Sequence, residues 1–183
     1  MKTQEIHEVY ENDTTFRIFV DLDGVLVDFE KFAKEHIIEP HINSDVKEHF
    51  LQKGAKKDFW KSVDRWTRSG KQFFGAMDPL PDAFELWDYI KEYFPIILSA
   101  TGHVSNAKEE KRDWVKRHLG DTTAGMALFT RAASEKCQYA APNHILIDDR
   151  SKAIDPWIEA GGIGILHTSA EDTINQLKEL GIG

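Results

Sequence analysis

One cysteine in 183 residues, Cys137, excludes an internal disulfide and any cysteine-built zinc site. No signature surrounds it that would mark a nucleophile, so it reads as a small, semi-buried side chain. Long apolar runs are missing too, and no stretch supplies the roughly 20 residues that span a bilayer. Met1 to Asn12 are polar, so no secretory leader is visible, and the expected location is cytoplasmic without membrane attachment. The glycine fingerprint of dinucleotide sites is absent, which leaves Gly161-Gly162 as a turn. The eight histidines offer no His-x-x-x-His pair with a third ligand. His36 and His41 are wrongly spaced for one helical face, and His103 reads as a solvated loop residue. Basic residues are the minority: 23 Lys plus Arg face 31 Asp plus Glu, a net charge of −8. Such a surface repels phosphate backbones and anionic membranes, so stable binding of duplex nucleic acid is not expected.

What is present is a packed-core composition, with 41% hydrophobic and 30% charged residues. Five short apolar runs read as buried strands: Phe16–Val20, Ile96–Ser99, Met126–Phe129, His144–Ile147 and Ile163–Leu166. Each is continuous rather than alternating, the pattern of a parallel sheet covered on both faces. Helical patterns separate the last four. Asp82 and Glu85 announce a helix whose stripe is Phe84, Trp87, Ile90 and Tyr93. Asn106 and Glu109 announce a second, with Trp114, Val115 and Leu119 inward and Gly120 as its stop. Ser169 caps a third that carries Ile174, Leu177 and Leu180. The run Lys108–Arg112 reads as an exposed face of mixed charge. Strand–helix alternation of this kind specifies a doubly wound α/β sheet.

Between the first two strands lie about fifty residues, far more than a crossover helix needs. Three apolar patterns fill them: Phe29, Phe32, Ala33 and Ile37; Val46, Phe50 and Leu51; Phe59, Trp60, Val63 and Trp66. The expectation is a small helical cap over residues 28–80, inserted into a core formed by 1–27 and 81–183. Ligands of open α/β sheets bind at the carboxyl ends of strands, where such a cap would sit.

The chemistry is written at two strand ends. Asp21-Leu22-Asp23-Gly24-Val25 places two acids at i and i+2 after a buried strand, with Gly24 allowing a sharp turn and backbone N–H groups near an anion. Asp148-Asp149 follows the strand His144–Ile147 in the same way. A single acidic turn could be a capping feature; two of them at the same end of one sheet point to a site. Four converging carboxylates repel one another and raise each other's pKa, and a hard divalent cation with oxygen ligands, Mg²⁺, relieves this.

The Asp-x-Asp-Gly-Val segment with the later Asp-Asp resembles the haloacid dehalogenase-like hydrolase superfamily over nearly the whole chain. The resemblance implies a Rossmann-like core with strand order 3-2-1-4-5. It also implies Asp21 as nucleophile, Asp23 as acid/base, a hydroxyl at Ser99 (with Thr101 as rival) and Lys136 before the fourth strand. Metal would be held by Asp21, Asp148 and the Asp23 backbone carbonyl, with Asp149 binding through water or orienting Lys136.

Within the superfamily the chain is more similar to the 5′(3′)-deoxyribonucleotidase branch, in DLDGVLVDFE (21–30), FFGAMDPLPDAFELW (73–87), FTR (129–131) and ILIDDR (145–150). That likeness implies a phosphomonoester hydrolase acting on nucleoside monophosphates through an aspartyl phosphate, with Phe29 against the base and Arg131 on phosphate. Phe73 and Phe74 join the expected substrate residues, although rings at helical spacing also build mini-cores. The chain differs from the branch in Ser99-Ala100-Thr101, where Thr-Ser-Pro is usual, and in a longer step from Arg131 to Lys136. Homodimers are common in the branch, but no sequence feature demands one. The competing readings are a phosphatase for another small phosphomonoester or a nucleic-acid terminal phosphate, and a non-catalytic binding module on the same fold.

Overall fold

The computed structural model describes residues 15–38 and 54–183. The apolar pattern at Val46, Phe50 and Leu51, His41 and the polar first residues lie outside them. Five strands form one parallel sheet: β1 (Arg17–Val20), β2 (Ile96–Ala100), β3 (Leu128–Thr130), β4 (His144–Asp148) and β5 (Ile163–Leu166). Their order is β3-β2-β1-β4-β5, the order expected from the resemblance. Successive side chains of a strand go to opposite faces, and both faces here are apolar. Ile18, Val20, Ile97, Ile145 and Ile147 join the larger core, whereas Phe19, Leu98 and Leu146 pack with Ile154 and Trp157 on the other side. Each such fully buried aliphatic contributes about 1.5–3 kcal/mol of burial energy, which is why runs with no polar alternation became the centre of the sheet.

Helices cover both faces. The insertion supplies α1 (Phe29–His36) and α2 (Ala55–Arg68); the rest are α3 (Ala83–Ile90), α4 (Ala107–Leu119), α5 (Asp121–Met126), α6 (Ser151–Glu159) and α7 (Ala170–Glu179). Three details correct the sequence expectations. The third strand begins at Leu128, because the residues after Gly120 wind into α5 and leave Met126 exposed. The buried face of α3 is Ala83, Leu86, Trp87 and Ile90. Phe84 lies off that face and is exposed, and Tyr93 is exposed because the helix gives way to a tight 3₁₀ turn after Ile90. The run Lys108–Arg112 is not a uniformly exposed face: Glu110 and Lys111 are buried with Trp114 and Val115.

Caps follow a similar division. Ser169 accepts the Asp172 N–H at 3.2 Å and caps α7 as expected. Asp82 precedes α3 but makes no capping bond there; its Oδ2 accepts the Ala170 N–H of α7 at 2.7 Å. Asn106 sits at φ 62° before α4 without a side-chain cap.

The insertion leaves and returns side by side. The Asp28 N–H donates to Asp78 O (2.9 Å) and the Leu80 N–H to Leu26 O (3.0 Å), bridging Val27 to Pro79. Its buried residues Phe32, Ala33, Phe59, Val63, Phe73, Phe74 and Met77 belong to the same apolar cluster as β1 and β2, so it is packed onto the site end of the sheet.

Candidate active site

The site grows from the carboxyl ends of the two central strands. The Asp21 N–H still bonds to Ile147 O (3.0 Å), which keeps Asp21 beside β4, whose last residue is Asp148. Beyond Asp21 the chain coils: the Val25, Leu26 and Val27 N–H groups all donate to Leu22 O, at 2.9–3.1 Å. Gly24 makes this possible at φ 78°, and a Cβ there would stand 2.6 Å from Asp149 Oδ2. A side chain at 24 would therefore push Asp149 out of the site.

Lys136 lies between the strand ends. Its Nζ is 2.5 Å from Asp148 Oδ2 and 3.0 Å from Asp21 Oδ1, with the lysine wholly buried. The long step from Arg131 to Lys136 is taken up by a 3₁₀ segment, Ala133–Tyr139, where the Glu135 carboxylate accepts the Arg131 and Ala132 N–H groups.

A second lysine completes the site, and the sequence reading missed it. Lys111 of α4, 1% exposed, donates to Asp23 Oδ2 (2.6 Å), Ser99 Oγ (2.8 Å) and Ala100 O (2.9 Å). A signal was available: Ala107, Lys111, Trp114 and Val115 fall at i, i+4, i+7 and i+8, the inward stripe of the helix. A charged residue on that stripe should have been asked what it meets.

Of the two candidate hydroxyls, Ser99 is buried within this network, while the Thr101 Oγ1 donates outward to Thr130 O (3.2 Å). Arg131 is exposed, its Nη2 2.6 Å from His103 Nδ1. Phe29 is half-buried against Phe59, Trp60 and Phe73. Phe73 and Phe74 are buried: the first belongs to that ring cluster, and the second lies under Lys111 Nζ, 4.7 Å from the ring centre.

Charge is unevenly shared. Burial alone would raise Asp21, but Lys136, Lys111 and the Ser99 hydroxyl overcome it and hold this carboxyl below its ordinary range. For Asp23 burial wins against Lys111, with Asp21 adding to the rise. Burial and Asp21 push Asp148 up to about 6 against the pull of Lys136. Lys136 itself, despite burial, is raised by Asp21 and Asp148, so it is charged. Four carboxyl groups thus face two ammonium groups, a surplus of negative charge even with Asp23 protonated. Asp21, Asp148 and Asp149 each bring an oxygen within 4.8 Å of the others. An all-oxygen donor set with that surplus fits a divalent cation such as Mg²⁺. The Asp23 side chain stands apart from this trio and belongs to Lys111.

The comparisons agree with this geometry. Residues 15–176 match the family described as 5′ nucleotidase, deoxy (pyrimidine), cytosolic type C protein. The mitochondrial 5′(3′)-deoxyribonucleotidase of Mus musculus is 28% identical over 182 residues, covering 88% of this chain and 77% of that protein. The cytosolic-type 5′(3′)-deoxyribonucleotidase of Homo sapiens is 27% identical over 146 residues, covering 73% and 70%. Among solved structures, a haloacid dehalogenase-family hydrolase from Deinococcus radiodurans R1, with bound phosphate and sodium, aligns with TM-score 0.53 at 17% identity over 93% of this chain and 90% of its own. A hydrolase from Streptococcus pneumoniae TIGR4 gives 0.53 at 13% identity over 92% and 100%, likewise a likeness of fold. With a family match running across both acidic strand ends and the lysine between them, the chain belongs to the deoxy (pyrimidine) cytosolic type C 5′-nucleotidase family and is a phosphatase.

Proposed function

We propose that this phosphatase hydrolyses deoxyribonucleoside monophosphates through a phosphoryl group carried on Asp21. The observation that supports this most directly is the division of two carboxylates, two residues apart, between two buried lysines: Asp21 beside Lys136, and Asp23 on Lys111. Separate environments suit separate roles.

Asp21, ionised beneath its two lysines, attacks phosphorus, forming an O–P bond as the ester O–P bond breaks. Burial raises the pKa of Asp23 and so favours the protonated form that this step needs, and Asp23 gives its proton to the departing alkoxide. Ionised, it then takes a proton from water, whose oxygen attacks the same phosphorus; the Asp21 O–P bond breaks and inorganic phosphate leaves. Lys136 and Ser99 are placed to hold phosphate oxygens, so positioning and charge stabilisation carry most of the rate. Asp21, Asp148 and Asp149 would hold Mg²⁺, whose contribution when bound is to neutralise the phosphate.

Substrate choice is assigned to a cap over 28–80, with Phe29 as the ring offered to a nucleobase because it follows the Asp21–Asp23 loop directly and is only half-buried against Phe59, Trp60 and Phe73. The relatives named for deoxyribonucleotides support the substrate class. Those relatives include cytosolic and mitochondrial proteins, and the cytoplasmic location belongs to the same proposal. Among the described residues no helix is long and apolar enough to cross a membrane.

The test is phosphate release from nucleoside monophosphates and unrelated phosphomonoesters, with Mg²⁺ or EDTA, for the wild type and Asp21→Asn. Rapid Mg²⁺-dependent release from deoxynucleotides, abolished in the variant, is expected. Activity confined to other esters would refute the substrate, and activity surviving Asp21→Asn would refute the nucleophile.

A further inference from the structure

The residue before Lys111, Glu110, is buried too and points to a neighbouring side of α4. Glu110 Oε2 accepts three consecutive backbone N–H groups, from Phe73 (2.8 Å), Phe74 (2.8 Å) and Gly75 (3.3 Å). Three amides converging on one oxygen form an anion cradle of the kind that usually holds a phosphate, here filled by the protein's own carboxylate. Further along α4, Trp114 Nε1 donates to Met77 O at 2.9 Å, and Arg117 Nη2 donates to Gly75 O. Residues 73–77 are therefore tied to one helix face at five hydrogen bonds, three of them to Glu110.

The tied segment has two working sides. The Phe73 ring meets Phe29 (6.0 Å between centres), Phe32 (5.4 Å) and Phe59 (6.3 Å) edge-on. The Phe74 ring lies against the Lys111 ammonium. One turn of α4 thus touches the insertion's aromatic wall through Glu110 and the acid/base pair through Lys111. Loops carried on an insertion normally drift by more than reacting geometry tolerates; this one is held by a buried charge.

We infer that Glu110 is a positioning residue that fixes the distance between the aromatic wall and the Lys111–Asp23 pair, a ruler selecting phosphomonoesters whose alcohol portion spans that distance. The inference rests on the nucleotidase reading, in which the wall receives the base. A side chain that only stabilised the fold would affect every substrate alike. A ruler acts on long substrates and spares short ones.

The experiment compares wild type, Glu110→Gln and Arg117→Met on a deoxynucleoside monophosphate and on glycerol 3-phosphate, an alkyl ester with the same need for a proton but nothing to reach the wall. Gln keeps the shape and removes the charge. Arg117 is exposed, so Arg117→Met loosens the same segment with little effect on folding. For Glu110→Gln the expected result is a loss of about 10- to 100-fold in kcat/KM on the nucleotide, mostly in KM, against about twofold on glycerol 3-phosphate. Arg117→Met should show the same selectivity at smaller size. Equal losses on both esters in the folded variants would overturn the ruler while leaving the substrate intact. A wild type that turns over glycerol 3-phosphate but no nucleotide would overturn the substrate reading and the ruler with it.

Discussion

Lys111→Met is the substitution that tests the site most sharply, because the structure predicts losses in stability and in turnover from one removed charge. Methionine nearly matches lysine in length, so no large cavity is expected, and the effect comes from the three acceptors left behind: Asp23 Oδ2, Ser99 Oγ and Ala100 O. A hydrogen bond from a charged group contributes about 1.5–3 kcal/mol, and breaking a buried ion pair costs about 3–5 kcal/mol. The three bonds share one donor and do not add. The Asp23 side chain is 27% exposed, so water or a proton recovers part of the loss. The balance is a destabilisation of about 2–3 kcal/mol, or about 4–12 °C in Tm for a chain of this size. Turnover of an alkyl phosphate should fall by about 10²- to 10³-fold, as when a preorganised donor is removed from a reacting centre. An aryl phosphate such as p-nitrophenyl phosphate, whose leaving group needs no proton, should lose much less. Thermal unfolding and phosphate release measure both effects. Adding Asp23→Asn to Lys111→Met should restore about 1 kcal/mol or more, since the stranded charge is gone. A Lys111→Met protein melting within about 1 °C of wild type and turning over both esters normally would refute the reasoning.

Three further outcomes follow from single contacts. Gly24→Ala forces φ 78° on an alanine and drives its Cβ into Asp149. About 1–2 kcal/mol of stability should be lost, with weaker Mg²⁺ binding by calorimetry; unaltered Mg²⁺ affinity would contradict the role given to Gly24. Asp82→Ala removes the carboxylate that caps α7 from another helix, and should cost about 1 kcal/mol in chemical denaturation, against no change if its cap position at α3 were all that mattered. His167 is buried with Nδ1 2.8 Å from Thr173 Oγ1, and burial lowers its pKa against the pull of Asp82 and Asp172. The unfolded chain therefore binds this proton more tightly: the contribution is whole above pH 6.5 and is lost as pH falls through the lower folded value. Melting curves between about pH 7.5 and 5.5 should show a slope on the acid side that is reduced in His167→Asn; an equal slope in both would exclude His167 as its source.

The parts legible in the sequence are those whose cause is local. β1, β2 and β4 show as continuous apolar runs because both faces of a central parallel strand are buried. Asp21 and Asp148 show because each ends such a run, and Lys136 because the resemblance places a lysine before the fourth strand. What escaped depends on distant partners. Asp82 has the position of a local cap, yet its acceptor oxygen serves a helix 88 residues away. Glu110 and Lys111 look like surface charge, because a mixed-charge run is usually solvated and nothing local announces Asp23 or the Phe73 amide. Phe73 and Phe74 are adjacent in sequence, and only their neighbours in space divide them between the ring cluster of Phe29 and Phe59 and the Lys111 ammonium.

The two lysines explain how so acidic a site tolerates its substrate. With Asp23 protonated, as the proposed first step requires, two ammonium groups against three carboxylates leave the site at −1, and one divalent cation held by Asp21, Asp148 and Asp149 would bring it to +1 before a phosphate dianion arrives. With Lys136 alone the site would start at −2, and a bound divalent cation would bring it only to zero, with no net positive charge facing the substrate. At about 4 kcal/mol for unit charges 4 Å apart at an effective dielectric of 20, that difference is large beside the binding energy of a small ester. The lysines are also not interchangeable. Lys136 bridges the two strand ends, which in the proposed reaction is the side of the attacking oxygen, whereas Lys111 comes from a helix and meets Asp23, the side where the alcohol would leave. In the proposed reaction, charge is therefore neutralised on the nucleophile's side by the 3₁₀ segment that carries Lys136 and on the leaving group's side by α4. Because α4 is also the helix that grips residues 73–77, the element that neutralises the leaving-group side is the one that senses what the leaving group is.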